Sequence, residues 1–474
     1  MEVEKVALVV PPYRFNQFYP DYQTKLPVLD SISLVPGATA PLGIMYISAV
    51  LKNMNIDVKF IDGVFETEKS MIKELSGYGP DLVGIYVSSP LWRRTKKISE
   101  RIKREIDENI LVCVGGPHVD LVKEEVLEGC EHVDFGICGD GEKVLPELIE
   151  ELQKEPEEID TEGVIWRQKN EINSNSPCPK LVEDLDSLPL PDRDLVDLED
   201  YCPSIGFYRK RPSVNMVTSR GCRMACSFCH AREKPLRERS IEDVIEELRD
   251  LEERGVKDIL LYDQDFGANR ERSIELCKRI VEEDFDFYIG CNLRIDSFDK
   301  ELLEWMRKAG FWRVFYGIES SVQDNLDQVA KGINKEKTEE VVRKTDEMGF
   351  HVFGSFIFGI PGQTYEDGVK TIEFAKELPL TYAKFTPMSP WPGSDMWENP
   401  EKYGKLDRTP NKMSMNMVNF VPESMTEEEL RKLLRKGFGE FYIRPKYFWR
   451  RLKQIETVED IKQNIRGFLS FIRS

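Results

Sequence analysis

The sequence predicts an α/β protein: an N-terminal doubly wound, flavodoxin-like parallel sheet, then a full or partial six-unit parallel β/α barrel, then a helical C-terminal extension. Three observations carry this expectation. Short Val- and Ile-rich runs alternate with longer stretches of helical period through the first 150 residues; the alternation resumes past residue 212 with six further apolar runs; and residues 154–212 between them bring prolines and acids without a period. A chain of 474 residues that is 41% hydrophobic and 32% charged can bury two or three cores, and it is neither disordered nor fibrous. The expected divisions are a ligand-binding domain over 1–153, a linker over 154–212, the barrel over 213–398 and a helical cap over 399–474.

In the first domain the strand candidates are Lys5 to Val10, Ile56 to Ile61, Asp81 to Val87, Ile110 to Gly115 and Val133 to Ile137. Such runs are apolar throughout because a parallel strand is buried on both faces. Pro41 to Leu51 repeats apolar residues at helical spacing and should form the first crossover helix. Gly115-Gly116-Pro117-His118 ends a strand and opens a helix, so small residues lie where a ligand can approach the backbone at the carboxyl edge of the sheet. His118 alone reads as a polar turn residue rather than a metal ligand. Trp92, after Ser88-Ser89-Pro90-Leu91, either covers a ligand at that edge or anchors the next helix in the core. No G-x-G-x-x-G follows the first strand, which runs into Pro11-Pro12-Tyr13 and a long loop, although the fold itself is compatible with a flavin or nucleotide.

In the linker, Gly163-Val164-Ile165-Trp166 and Glu171-Ile172 suggest a small hairpin, and Cys178 and Cys202 read as plain thiols. Barrel strands are expected near Val214 to Val217, Asp258 to Tyr262, Asp286 to Cys291, Arg313 to Gly317, His351 to Phe358 and Tyr382 to Phe385, with amphipathic helices such as Ile241 to Arg254 and Lys335 to Met348 between them. The reactive face of such a barrel lies at the carboxyl ends of its strands. Just past the first strand stands Gly221-Cys222-Arg223-Met224-Ala225-Cys226-Ser227-Phe228-Cys229-His230. Three cysteines crowded this closely cannot form a useful set of disulfides, and as ligands of a four-iron cube they leave one iron without a protein partner. Three reduced thiols in an ordinary loop, or a zinc site completed by His230, are the alternatives.

The ten cysteines and the absence of a signal peptide or apolar span place the chain in a reducing cytoplasm. A net charge of −19 argues against nucleic acid as a partner. The basic, aromatic stretch Arg444-Pro445-Lys446-Tyr447-Phe448-Trp449-Arg450-Arg451 suits either a membrane surface or acidic partner, or a helix docked on the barrel; the docked cap is the expectation, and membrane contact is not. No Ser-His-Asp or Cys-His arrangement is visible, and no catalytic acid or base is assigned.

The C-x3-C-x2-C spacing at Cys222, Cys226 and Cys229, with Phe228 before the last cysteine, resembles the signature of the radical S-adenosylmethionine superfamily. The resemblance spans the six-unit barrel and implies a [4Fe-4S] cluster whose free iron holds the amino and carboxylate groups of S-adenosylmethionine. It further implies that strand-end residues contact the nucleotide, here Asp263, Asp265, Arg294 and Glu319, whose other reading is helix capping and ion pairing. Pro41-Leu42-Gly43, the strand ending at Asp62, Gly115-Gly116-Pro117-His118 and Gly139-Asp140-Gly141-Glu142 follow the order seen in the cobalamin-binding domains of such enzymes. Cobalamin is thereby expected at Gly115, Gly116, Pro117 and His118, with Trp92 a candidate shield. Asp62 is followed by Gly63-Val64-Phe65-Glu66, so the histidine that ligates cobalt in many other cobalamin proteins is missing. The resemblance implies radical methylation of an unactivated carbon, with an external electron donor and an unknown substrate. The alternatives are a cyclase, oxidase or rearrangement enzyme of the same architecture, and a non-catalytic sensor or carrier.

Overall fold

In the computed structural model the described residues are 2–13, 38–154, 158–168, 171–175, 180–204, 206–229, 234–409, 412–413 and 417–455. Cys178 and His230 lie outside them. The chain packs as two units, one built on Ala40–Leu198 with the N-terminal strand, the other on Glu199–Ser474.

The first unit runs β1 (Lys5–Val10), α1 (Leu42–Asn53), β2 (Asp57–Asp62), α2 (Glu68–Tyr78), β3 (Leu82–Tyr86), α3 (Trp92–Arg101), β4 (Leu111–Gly115), α4 (Pro117–Val122), α5 (Glu125–Glu128), β5 (Phe135–Ile137) and α6 (Gly141–Leu152). The five strands are parallel in the order β2-β1-β3-β4-β5. Along β1, Ala7 and Val9 enter one apolar cluster while Val6, Leu8 and Val10 enter another, which explains the unbroken apolar run: alternate side chains fill separate cores on opposite faces. The order reverses between β1 and β3, so a crevice opens beyond their carboxyl ends.

One departure concerns the segment read as linker. Its hairpin, β6 (Val164–Gln168) and β7 (Glu171–Ser174), adds to the first sheet antiparallel, β6 pairing with β5 through Phe135 and Trp166. Val164, Ile165 and Trp166 are buried, so this apolar strand completes the sheet edge and does not float in a tether.

The second unit continues with β8 (Ser213–Met216), β9 (Ser219–Cys222), β10 (Lys234–Glu238), α7 (Ile241–Glu253), β11 (Asp258–Leu261), α8 (Arg270–Glu282), β12 (Tyr288–Leu293), α9 (Lys300–Lys308), β13 (Phe311–Glu319), α10 (Gln323–Gln328), α11 (Lys335–Glu347), β14 (His351–Phe358), α12 (Tyr365–Glu377) and β15 (Tyr382–Pro387). Six parallel strands lie in sequence order, β8-β11-β12-β13-β14-β15, and no ladder joins the two ends among the described residues, so the barrel is partial. Helix starts are set by side-chain caps: Ser240 accepts from Asp243 N, Asn334 from Lys337 N, and Thr364 with Asp367 forms a reciprocal capping box.

After α13 (Asp395–Glu398), a small antiparallel pair that the sequence does not suggest, β16 (Gly404–Leu406) and β17 (Phe420–Pro422), precedes α14 (Glu427–Tyr442) and α15 (Pro445–Lys453). Helix α14 packs against β15. Phe438 and Phe441 pack on Phe385 of β15, and a Cβ at Gly437 would lie 3.0 Å from that ring, so the helix approaches closely because it carries glycine there. The Tyr442 hydroxyl accepts from Ala383 N at 3.1 Å and donates to Ala383 O at 2.8 Å, satisfying backbone groups on the outer edge of β15.

Helix α15 lies against the barrel unit by one face only. Its Arg450 pairs with Asp346 and its Tyr447 hydroxyl donates to Thr381 O, so these turn inward, whereas Phe448, Leu452 and Trp449, the last 67% exposed, face outward. Among the described residues no helix is long and apolar enough to cross a membrane.

Because Phe441 is fully buried between α14 and the barrel, Phe441→Ala should destabilise the protein by about 3–5 kcal/mol, read as a lowered urea midpoint.

Candidate functional site

Strand β8 ends at Met216, and β9 and β10 then form an antiparallel hairpin in which Cys222 pairs with Lys234. Gly221 has φ +95°, and a Cβ there would stand 2.0 Å from Pro235 O, so only glycine lets the two strands close immediately before the first cysteine. Beyond Cys222 the loop is pinned by backbone bonds from Ser227 N to Val329 O and from Trp391 N to Phe228 O, and Cys229 N closes a turn on Cys226 O at 3.1 Å. Val329 follows β13 and Trp391 follows β15, so the cysteines are held over the carboxyl ends of the barrel strands, as the sequence predicts.

Cys226 is buried, and Cys222 and Cys229 are partly exposed. The Arg294 guanidinium points at Cys226 Sγ, with Nη1 at 3.8 Å. Among the described residues no three His, Cys, Asp or Glu side chains converge on a point for a single metal ion. A four-iron cube does not require that convergence, since it takes each thiolate on a different corner, and the donor set fits it. The remaining described cysteines are buried, and burial pushes the thiols of Cys113, Cys277 and Cys291 up, away from metal-ligating thiolates.

The four strand-end candidates fall into two groups. Asp263, after β11, accepts from Thr218 N at 2.7 Å, Thr218 Oγ1 at 2.6 Å and Ser219 Oγ at 2.6 Å, which ties it to the turn between β8 and β9. Asp265 accepts from Ser297 Oγ at 2.6 Å and from Arg294 N at 3.2 Å. Burial pushes both carboxyls up, and these hydrogen bonds oppose the shift. Both carboxylates thus already hold loops in place. Arg294 reaches Asp296 and Lys331 O as well as Cys226, and Glu319 accepts from Lys331 Nζ at 2.7 Å and Ser355 Oγ at 3.2 Å. Lys331 therefore links Arg294 to Glu319. The sequence does not single it out, because it stands in no motif and at no strand end; its nearest signal is Gly317, where a Cβ would lie 2.4 Å from Glu319 Oε1 and 2.6 Å from Lys331 Nζ.

In the first unit, Gly116 has φ +106°, and a Cβ there would lie 3.2 Å from Val87 O, whose oxygen also accepts from His118 N. The turns after β1 and β2 meet as tightly, a Cβ at Gly63 falling 2.2 Å from Pro12 N. Backbone therefore lines this carboxyl edge, and Gly115 and Gly116 stay partly exposed there while Pro117 is exposed. This small-residue edge, beside the switch point, fits a large flat ligand. His118 does not face out to meet it: its Nδ1 is 3.0 Å from Ser89 Oγ, its ring lies 5.2 Å from that of Trp92, and its Nε2 is buried without a partner. Trp92 belongs to the apolar core, which is the anchor alternative.

Comparison with known proteins bears directly on this pair of sites. Residues 216–375 match the radical SAM superfamily model, and residues 32–149 match the B12 binding domain model. The chain is 32% identical to an uncharacterized methyltransferase of Pyrococcus horikoshii over 99% of both chains. The chain belongs to the cobalamin-binding radical S-adenosylmethionine enzymes. Its cofactors are a [4Fe-4S] cluster, S-adenosylmethionine and cobalamin. It is also 26% identical to the cytidylyl-2-hydroxyethylphosphonate methyltransferase of Streptomyces wedmorensis, over 86% of this chain and 87% of that one. Its fold matches the radical S-adenosylmethionine methyltransferase TsrM from Kitasatospora setae with a TM-score of 0.70 at 17% identity, covering 94% of this chain and 90% of that one. The cobalamin-dependent radical enzyme OxsB gives a TM-score of 0.71 at 18% identity, covering 100% and 71%.

Two outcomes test this geometry. Asp263→Ala removes the acceptor of three hydrogen bonds and should cost about 3 kcal/mol, with less iron retained per chain than in the parent after anaerobic reconstitution and gel filtration. Burial holds His118 down at about 4 from 6.5, so the unfolded chain takes up a proton that the folded one refuses. The His118 contribution is therefore full above pH 6.5 and lost as the pH falls towards 4, by about 3 kcal/mol, and His118→Gln should flatten that part of the pH dependence of the urea midpoint.

Proposed function

We propose that the protein methylates an unactivated carbon of its substrate. The observation that supports this is the presence, in one chain, of a three-cysteine loop over the carboxyl ends of a partial barrel and of a sheet with a glycine-lined edge beside its switch point. Methyltransferases among the relatives and fold neighbours agree with it. With its cofactors bound, such a site supplies a 5'-deoxyadenosyl radical for hydrogen abstraction and a methyl group for the carbon left behind.

The residues divide this work. Cys222, Cys226 and Cys229 would hold the cluster, and Asp263 fixes the turn from which their loop departs. Arg294, hydrogen-bonded to Cys226 and to Lys331 O, couples the position of the second thiolate to the Glu319–Lys331 pair, which we place beside the nucleotide. Asp265 orients Arg294 through its backbone N–H, so both aspartates act by positioning. The Gly115-Gly116-Pro117 edge would hold cobalamin, and with His118 turned into the core that unit offers cobalt no histidine there. An external reductant must supply electrons.

Metabolite mass spectrometry tests the reading. Extracts of a strain lacking the protein should accumulate a compound one methylene lighter than a compound found in the parent. Growth of the parent on methionine labelled in its methyl group should place the label in the heavier one. A pair differing by hydrogen, water or ring closure, with no label transferred, would assign the chain to cyclisation or oxidation instead.

A further inference from the structure

Along β15, side chains alternate between the helix layer and the barrel interior. Phe385 faces outward, against Phe438 and Phe441 of α14, which places Tyr382, Lys384 and Thr386 on the inner face. The ring of Tyr382 agrees with this placement, lying 5.6 Å from Phe207 and 5.2 Å from Phe353, both in the interior aromatic layer that also includes Phe315. Lys384 stands two residues further toward the carboxyl end, in register with Ser355, whose hydroxyl donates to Glu319.

Lys384 makes no hydrogen bond or ion pair with any described residue, and burial lowers its pKa. The nearby carboxylate does not serve it, because Glu319 is held by Lys331 at 2.7 Å. A half-buried ammonium with no partner among the described residues is disfavoured by desolvation, and an aliphatic residue in the same strand position would avoid that cost. With no anion beside it among the described residues, an ammonium in that position suits an anion brought by a ligand, and the aromatic layer below it offers an apolar seat beside the charge.

We propose that Lys384 anchors an anionic group of the substrate, a phosphate, phosphonate or carboxylate, seated over the Phe207, Phe353 and Tyr382 rings. The substrate thereby lies with its acidic end low in the barrel and its reacting carbon toward the cysteine loop. That the anion belongs to a methylated substrate rests on the function proposed above, but the anion site itself does not. The same charge has one other source, the carboxylate of the methionine part of S-adenosylmethionine, and the test separates the two.

Anaerobically reconstituted protein is treated with pyridoxal 5'-phosphate, an aldehyde carrying a phosphate, then with cyanoborohydride, and the labelled lysines are mapped by peptide mass. A lysine with a lowered pKa beside an anion seat should be labelled at least about tenfold faster than exposed lysines such as Lys300. Inorganic phosphate or methylphosphonate should protect Lys384, while chloride at equal ionic strength and S-adenosylmethionine should not. Lys384→Arg should lose the label and retain the exclusion of pyridoxal phosphate by inorganic phosphate measured by equilibrium dialysis, whereas Lys384→Met should bind neither; both should keep the iron content of the parent. Labelling no faster than at surface lysines, or protection by S-adenosylmethionine without protection by phosphate, overturns the assignment. If phosphate protects Lys384 but strain extracts show no methylated product, the anchor stands and the methylation reading falls.

Discussion

The Asp263 carboxylate accepts hydrogen bonds from the backbone and hydroxyl of Thr218 and the hydroxyl of Ser219, which joins the end of β11 to the turn leaving β8. The hairpin that carries Cys222 is placed relative to that turn. Arg272 reinforces it from α8 by donating to Thr218 O at 3.1 Å and to Arg239 O, and Arg239 donates in turn to Val217 O at 3.0 Å. The turn is thus satisfied from three sides by side chains that are themselves buried or nearly so, and the hairpin leading to Cys222 starts from a fixed point. A flexible loop of three thiols would not hold a cluster at one distance from a nucleotide; a loop tied at Thr218, Val329 and Trp391 can.

A second constraint lies opposite. Glu319 has φ +64° at the end of β13, an uncommon conformation for a residue with a side chain, and it stands at a register shift between β13 and β14. The bulge turns its carboxylate back over Gly317 to meet Lys331, and Gly317 has no Cβ to obstruct the pair. Strain at a strand end, relieved by a bare neighbour and a buried ion pair, is a pattern found where a side chain must be aimed at a ligand. The Glu319–Lys331 pair and Arg294 form one connected group that reaches Cys226.

Much of this architecture is readable in the chain because its central strands are buried on both faces and appear as uninterrupted apolar runs; β1 and β14 are examples. The cysteine loop is readable because three thiols at that spacing suit a cluster far better than disulfides or a scattered set of core residues. Edge features are harder to read. The β6–β7 pair has one buried strand beside a thinly covered one and resembles an ornament on a linker; β9 and β10 are short and polar, shaped by Gly221 and by pairing rather than by periodicity. The sequence puts Trp92 and His118 near the sheet edge but leaves open which way they turn. Only packing shows that an indole and an imidazole lie together in the core while Gly115, Gly116 and Pro117 reach the edge. Lys331 and Lys384 escape notice for a common reason: a lysine's role depends on what neutralises it, which is a three-dimensional property.

The hydroxyl of Tyr442 occupies the outer hydrogen-bonding positions of Ala383, on the strand that ends the sheet among the described residues. A partial barrel has two such ends, and each is a template on which another chain could add a strand. Helix α14 therefore acts as a chaperone built into the polypeptide. Because it follows all six barrel strands in the chain, the edge of β15 stays open until after the barrel itself has been synthesised, which makes the nascent chain most prone to self-association in the interval before this helix emerges.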